Sequence, residues 1–501
     1  MERNKLKSRL KAQTYYIRIC SIFFVIFAGF FTAANAQTGL KDVYANHFLV
    51  GNILNGGTIN NSGVKNLILQ EYNSITMENE MKPNATMTQS GSTDDNIKAT
   101  LGTGARNILK FCQDNKIPVR GHVLVWHGQS PHWFFTADLK NPATPANTSS
   151  VNWATKEQME KRMKSYFNNL FALIKQTYPN LDLYAYDVVN EAVDVRNGVG
   201  CPRGKGYDMD GAGGVDHTKN GNSPWVQIYG DNSFIESAFK YAAEARDKYF
   251  PKMKLFYNDY NEWDTPKRDY IIKQILIPLR DKGYLDGMGM QGHVDCDPSQ
   301  WAWSRITIFR EAMDKYAALG IEVQITELDV GKKGFTYQQQ ATKYKEIFAH
   351  AIKVNVRERA KRNPGFTAII GWGPNDANTW RGDDEATLFD KNNQKKDAYH
   401  AVFSLVPESE WGDGNNPTFR DQFTHQKQIL TPDLVKVSGR ILSLNVSNFV
   451  MVNIFDIQGK IVAKFSATGN SQFSLNDMPT GIYLVNIKGQ GVESTTKIVL
   501  K

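Results

Sequence analysis

The sequence is short of several things, and each shortage closes a route. It has four cysteines in 501 residues. Cys20 falls in an N-terminal leader, and Cys112, Cys201 and Cys296 are too few for a disulfide framework and lack zinc-type spacing. One bridge plus a free thiol, or three buried thiols, both fit. No run beyond residue 36 is apolar for long enough to cross a bilayer. No glycine-rich phosphate turn follows the first strand candidate, so a nucleotide cradle is not indicated. Charge of one sign is scarce too. The leader carries six Lys/Arg and one acid, so without it the formal charge of +8 falls to +3. A chain that close to neutral makes no case for nucleic acid or an acidic partner.

The leader is a basic stretch (Arg3, Lys5, Lys7, Arg9, Lys11, Arg18), an apolar run over 19–31, and Ala34-Asn35-Ala36 as an A-x-A cleavage site. That pattern reads as a secretory signal peptide over 1–36, with an uncleaved anchor as the alternative. The chain beyond residue 36 is too long for one ordinary core, so a large domain and a smaller one are expected.

From about 45 to 405, strand-like and helix-like segments alternate. The strand candidates are 47–54, 74–78, 118–127, 181–191, 254–259, 287–291, 321–329 and 366–372. Amphipathic stretches lie between them at 157–178, 234–249, 269–282, 306–319 and 338–354, with Gly320 as a C-cap. Eight strands with helical crossovers predict an α/β fold, a (β/α)8 barrel over 37–405, ahead of an open doubly wound sheet. Two loops interrupt the pattern, 137–154 and 194–224. The second holds eight glycines and Asp208, Asp210 and Asp216. A flexible polar loop at a cleft rim is expected there. A calcium loop is the alternative, without the twelve-residue pattern or its closing glutamate.

Composition shifts after residue 405. Residues 406–430 read as a linker, and 431–501 as a small all-β sandwich with strands at 437–446, 451–456, 461–465, 481–488 and 494–500.

A barrel carries its chemistry at the C-terminal ends of its strands. There the sequence places Glu78-Asn79, Trp126-His127, Asn190-Glu191, Asn258-Asp259, Gln291, His293, Glu327, Asp329 and Trp372. The segment Ile321–Asp329 alternates apolar residues and ends in two carboxylates that share one face of a regular strand. A second strand ends in Glu191. Carboxylates rarely end apolar strands for packing alone. Paired glutamates among aromatic, amide and imidazole groups suit a neutral sugar chain. They also suit glycoside hydrolysis, in which one carboxyl protonates the leaving oxygen and the other attacks or activates water.

Seven motifs carry a family resemblance. Asp187-Val188-Val189-Asn190-Glu191-Ala192 resembles the acid/base motif of glycoside hydrolase family 10, the retaining endo-β-1,4-xylanases. Ile325-Thr326-Glu327-Leu328-Asp329 resembles its nucleophile motif. Thr76–Lys82, Gly121–His127, Tyr257–Asn261, Gly289–His293 and Trp372-Gly373 with Asp376 and Trp380 resemble the remaining strand-end motifs, in order. The resemblance implies Glu191 as general acid/base and Glu327 as nucleophile. It implies that His293, held by Asp329, orients Glu327 and keeps it ionised, with Gln291 in the same network. Asn190 would bond the sugar 2-hydroxyl. Glu78, Asn79, Lys82, His127 and Trp372 would hold the non-reducing side, Trp380 would cover the cleavage-site sugar, and Tyr260 would stack on the next. No metal or other cofactor is implied.

The chain departs from the family pattern at Met77 and Pro83, where Pro and Trp are common, and at Asn375 and Thr379. These departures touch distal sugar contacts rather than the reacting pair. The tail motifs Asp456-Ile457-Gln458-Gly459-Lys460, Met478–Val485 and Lys497–Lys501 resemble a C-terminal sorting domain of type IX secretion. A carbohydrate-binding module is the rival, although the tail has no tryptophan. The expected partners are therefore xylan or xylo-oligosaccharides and the outer-membrane secretion machinery, for a monomer that is secreted or held at the cell surface. A catalytically silent xylan-binding protein and a glucan-cleaving enzyme are the competing readings.

Overall fold

The computed structural model describes residues 38–207, 222–297, 306–417, 419, 435–489 and 492–500. The leader, the Asp208–Asp216 acidic set and most of the polar stretch after 417 lie outside these residues.

Eight short, β-branched and apolar segments form strands: β1 (Leu49–Leu54), β2 (Ser74–Met77), β3 (Val119–Val125), β4 (Leu183–Asn190), β5 (Lys254–Asp259), β6 (Gly287–Met290), β7 (Glu322–Gly331) and β8 (Phe366–Gly371). All are buried along nearly their whole length, as a parallel sheet covered by helices requires. They pair in chain order, each parallel to the next; β8 returns to β1, and β6 joins β7. The sheet is a closed barrel. Predicted and observed strands differ by a residue or two at their ends, and β7 runs on to Gly331.

Helices α1 (Ser62–Glu71), α2 (Thr103–Asp114), α3 (Lys156–Thr177) and α4 (Phe234–Tyr249) cover the first half. Next comes α5, which runs through Thr265–Tyr270, a π-helical turn Ile271–Leu276, and Ile277–Asp281. The set ends with α6 (Ile306–Ala317), α7 (Tyr337–Arg359) and α8 (Asp397–Phe403). Capping boxes start two of the longest: Thr155 with Gln158 on α3, and Thr336 with Gln339 on α7. Those side chains satisfy amide groups that no helical partner reaches. Gly320 takes φ +73 after α6, the left-handed stop expected of it.

Part of the loop predicted over 194–224 is ordered structure. Val193–Arg196 and Val199–Pro202 form an antiparallel pair beside Glu191, and Gly204–Lys205 pairs with Asn222–Ser223. All three cysteines beyond the leader are free thiols, Cys112 and Cys296 buried.

The stretch read as a linker is docked over its first part. Asn73 donates to Gly414 O at 2.8 Å, Lys41 to Asn415 Oδ1 at 2.8 Å, and Asn46 to the Glu410 carbonyl at 2.8 Å. Phe419 is buried among Leu49, Tyr184, Ala185, Phe256, Ala368 and Ile370, side chains of β1, β4, β5 and β8. It stoppers the barrel at the end opposite the strand C-termini. Polar composition concealed this docking, because much of it runs through backbone groups.

The tail is a five-stranded antiparallel sheet: β9 (Val435–Ser438), β10 (Ile441–Phe455), β11 (Ile461–Ser474), β12 (Gly481–Gly489) and β13 (Val492–Leu500). One edge of β10 pairs with β11, with a register break between Val446 and Val450. The other pairs with β9 over its first part and with β12 over its last. The predicted strand 437–446 is split by a turn at Gly439, which takes φ +62.

Candidate active site

Strands β2 to β8 deliver residues near or just past their C-terminal ends to one open cleft of about 1260 Å³. Twelve of the thirteen predicted residues line it: Glu78, Asn79, Lys82, His127, Asn190, Glu191, Tyr260, Gln291, His293, Glu327, Trp372 and Trp380. The other, Asp329, lies fully buried behind His293.

Beneath the cleft the barrel is polar, and its charged groups are paired. Arg120 on β3 forms an ion pair with Asp187 on β4 and donates to Gln324 Oε1 on β7 at 2.8 Å. His122 Nδ1 lies 2.8 Å from Asp187 Oδ2. A buried ion pair costs several kcal/mol of desolvation, so such a group needs this complete set of partners. Gly289 on β6 keeps the space open: a Cβ there would sit 2.3 Å from Asn258 Oδ1.

Glu327 leaves β7 with both oxygens engaged. Asn258 Nδ2 donates to Oε1 at 2.9 Å, and His293 Nε2 meets Oε2 at 3.1 Å. The three-residue strand His293–Asp295 pairs with β7 and sets His293 opposite Asp329, whose Oδ2 lies 2.9 Å from Nδ1. Burial opposes charging the imidazole, but Asp329 and Glu327 together raise it to about 10. Burial alone would also raise the Glu327 carboxyl. The His293 hydrogen bond and the positive fields of His122, His293 and Lys82 outweigh burial and hold the group below its ordinary value. Glu327 is a fixed carboxylate at neutral pH.

Glu191 is placed differently. Its Oε2 accepts from Trp126 Nε1 at 3.0 Å; its Oε1 accepts from Gln291 Nε2 at 2.7 Å and Asn190 Nδ2 at 3.1 Å. His127 Nε2 and Arg203 Nη2 each stand 3.9 Å from Oε2. Burial and the charges of Arg203 and Lys267 push His127 well below its ordinary value, so it is neutral here. Asn190 and Asn258 join the two glutamates, since Asn258 Nδ2 also donates to Asn190 Oδ1 at 3.0 Å.

Gln291 lies in this same network: its side chain serves Glu191 and Asn190, and its backbone carbonyl accepts from the Glu327 amide at 2.8 Å. The amide that holds Glu327 is Asn258, which is visible at the end of β5 in the sequence but carries no role there. Trp126 is likewise placed at a strand end by the sequence without a role, whereas Arg203 escapes the sequence reading, lying twelve residues past Glu191 with nothing local to mark it.

On one side of the pair, Lys82 is buried under Trp126, 5.1 Å from its ring, and donates to Asn79 Oδ1 and Gln129 Oε1 at 2.9 and 2.7 Å. Burial lowers its pKa, against the pull of Glu327, Glu191, Glu78 and Glu80. Glu78 accepts from Asn55 at 2.7 Å, and Trp372 meets His122 edge-on at 5.7 Å. On the other side Tyr260 carries Lys267 Nζ 3.7 Å over its ring. Trp380 stands at the rim, 62% exposed, with its indole N–H on Asp329. Aromatic faces beside amide, carboxylate and ammonium groups match the CH faces and hydroxyls of a sugar chain. Among the described residues no His, Cys, Asp or Glu cluster is arranged to hold a metal ion, and no helix is long and apolar enough to cross a membrane.

Comparison with known proteins agrees with this geometry. The chain is 51% identical over 393 residues to endo-1,4-beta-xylanase Y of Acetivibrio thermocellus, covering 77% of this chain and 34% of that protein. It is 34% identical over 379 residues to the bifunctional endo-1,4-beta-xylanase XylA of Ruminococcus flavefaciens, covering 75% and 35%. It thus spans about a third of the length of these curated relatives. Among solved structures, the CBM22-1–GH10 modules of Clostridium thermocellum Xyn10B, complexed with xylohexaose, share 49% identity and a TM-score of 0.67. That match covers 77% of this chain and 70% of the other. A secretion system C-terminal sorting domain model matches residues 438–501. Over residues 39–405 the match is to the glycosyl hydrolase family 10 model, and the chain belongs to that family.

Proposed function

We propose that this protein is an exported endo-1,4-β-xylanase that cleaves internal xylosidic bonds with retention of configuration. The observation that carries the reading is the pair Glu191 and Glu327, which come from β4 and β7 on opposite sides of one cleft and are joined through Asn190 and Asn258. Glu327 stays anionic and attacks the anomeric carbon as Glu191 gives its proton to the departing glycosidic oxygen. Glu191, now a carboxylate, then takes a proton from water, and the resulting hydroxide displaces Glu327 from the sugar. Asn190 bonds the 2-hydroxyl at the cleavage point, an interaction that tightens in the transition state. Lys82, Asn79, Glu78, His127 and Trp372 hold the non-reducing side; Trp380 covers the reacting sugar and Tyr260 the first leaving sugar. The sorting-domain match supports export through type IX secretion, with residues 1–36 as the leader.

The test uses the full chain on xylan beside Glu191→Ala and Glu327→Ala. Xylo-oligosaccharides whose first-formed anomer is β by NMR, and a loss of about a thousandfold or more in Glu327→Ala, support the reading. An α first product overturns retention. Activity on glucan alone overturns the substrate, and xylan binding without release overturns the enzyme.

A further inference from the structure

Glu191 occupies an uncommon backbone conformation. Its φ is +55, in the left-handed region that a non-glycine side chain enters at a cost of about 1 kcal/mol or more. Such a residue stays put only if its surroundings over-determine it, and here two contacts do. The Glu191 amide donates to Asn258 O at 2.9 Å, tying it to β5. Its carbonyl accepts from Arg203 Nε at 2.5 Å. Arg203 lies beyond the Val199–Pro202 strand and is only 3% exposed. Its Nη2 donates to Tyr260 Oη at 3.2 Å and stands 3.9 Å from Glu191 Oε2.

We infer that Arg203 is a positioning residue for the acid/base half of the reaction. It clamps the strained Glu191 backbone, holds a fixed cation beside the Glu191 carboxyl, and ties that carboxyl to Tyr260 on the leaving side of the cleft. The inference rests on the proposed acid/base role of Glu191.

The cation has opposite effects on the two half-reactions. In the first, Glu191 starts protonated and becomes a carboxylate as its proton passes to the leaving oxygen. A guanidinium favours the carboxylate, so it disfavours the waiting acid yet stabilises the charge that develops. In the second half, Glu191 must be a carboxylate to take a proton from water, and the cation secures that form. Arg203 thereby matters most to hydrolysis of the glycosyl-enzyme. The other charged or titratable groups facing Glu191 are His127 at the end of β3, Lys82 after β2, Asp259 and Lys267 at β5 and α5, and Glu327 and His293 across the cleft. His127 is neutral, and Lys267 is already paired with Asp259 at 2.7 Å. Arg203 is the cation nearest the Glu191 carboxyl among the ion pairs of the described residues.

The experiment compares Arg203→Met and Arg203→Lys with the wild-type chain on two aryl xylobiosides. One has a leaving group that needs protonation and the other a leaving group that does not. Arg203→Met is expected to move the alkaline limb of kcat/KM for the first substrate to higher pH. It is expected to lower kcat for the second substrate, where hydrolysis of the glycosyl-enzyme limits, by about tenfold or more, with a smaller change in its kcat/KM. Arg203→Lys keeps the charge and should leave the limb near its wild-type position. An unmoved limb in Arg203→Met, with equal losses on both substrates, reduces Arg203 to a structural part and overturns the inference. Should Arg203→Met not fold, Arg203→Gln, which is neutral but retains a donor, is read against the same two outcomes. Glu191→Ala separates the underlying reading: equal losses on both substrates there would mean that Glu191 is not the acid, whatever Arg203 does.

Discussion

The indole N–H of Trp380 donates to Asp329 Oδ2 at 2.9 Å, the oxygen that also holds His293 Nδ1 at 2.9 Å. An exposed rim aromatic is therefore fastened to the buried group that charges the partner of Glu327, and Arg381 secures the other Asp329 oxygen at 3.0 Å. Trp380→Phe keeps an aromatic face but loses the tether, so KM for xylotetraose should rise about tenfold, the weight of one hydrogen bond to a charged group. A Phe variant with wild-type KM would show that the tether does not position the ring.

His293 supplies much of what keeps Glu327 ionised. Removing its cation lets burial act on the carboxyl, and the Glu327 pKa rises. The nucleophile must be a carboxylate, so the acidic limb of kcat/KM in His293→Ala should move to higher pH, alongside a loss of about a hundredfold at the optimum. The limb is read from initial rates across the acid range. A limb that stays in place would assign the ionisation of Glu327 to Lys82 and His122 instead.

The same imidazole ties stability to pH. Its folded value is about 10, against an ordinary 6.5. A raised pKa means that the folded state holds the proton more tightly than the unfolded chain does. The contribution is whole below about 6.5 and is lost as pH climbs through about 10. Tm should therefore fall between those limits, and His293→Gln should flatten the slope, as thermal melts across that window would record.

How far the sequence speaks depends on whether a role is local. Glu191 and Glu327 stand out because an ionisable group at the end of an apolar strand is expensive unless it has a task. The closed barrel follows from alternation of strand and helix period. Asn258 is harder to read: its amide bridges Asn190 and Glu327, and which partners it meets depends on how β4, β5 and β7 stand around the barrel. Which atoms of Gln291 serve which glutamate is hidden for the same reason: its side chain meets Glu191 and its carbonyl the Glu327 amide. Arg203 reaches Glu191 only because a short strand pair folds the chain back.

That bridging role makes Asn258 a measurable test of the site. Its Nδ2 serves both Asn190 and Glu327, while Oδ1 accepts from Thr326 Oγ1 at 2.7 Å. Asn258→Ala strips one donor from the nucleophile and leaves Asn190 Oδ1 with only Gln291. The loss should fall mainly on kcat, by about ten- to a hundredfold, since a buried hydrogen bond to a charged group is worth about 1.5–3 kcal/mol. Asn258→Asp tests the sign, because a second carboxylate there repels Glu327 and should be worse than Ala at neutral pH. An Asp variant more active than the Ala variant would mean that the contact is mainly steric.

Phe419 offers a prediction at the opposite end of the barrel. The family match ends at residue 405, yet the chain continues against the barrel through Trp411 and Gly414 to the buried Phe419 ring. Its neighbours Leu49, Tyr184, Phe256 and Ile370 come from strands far apart in sequence, so the ring fills a gap that no single strand can close. Replacing a buried Phe by Ala typically costs about 3–5 kcal/mol, a transfer loss plus an unfilled cavity. A protein ending after residue 405 should lose that contact together with the Asn46, Lys41 and Asn73 hydrogen bonds to 410–415. It should melt several degrees below one ending after 419, and Phe419→Ala in the full chain should fall between them. The reacting residues lie at the other end of the strands, so kcat at moderate temperature should be the same in all three. Equal melting temperatures for the two truncations would mean that the 406–419 segment rests on the barrel without supporting it.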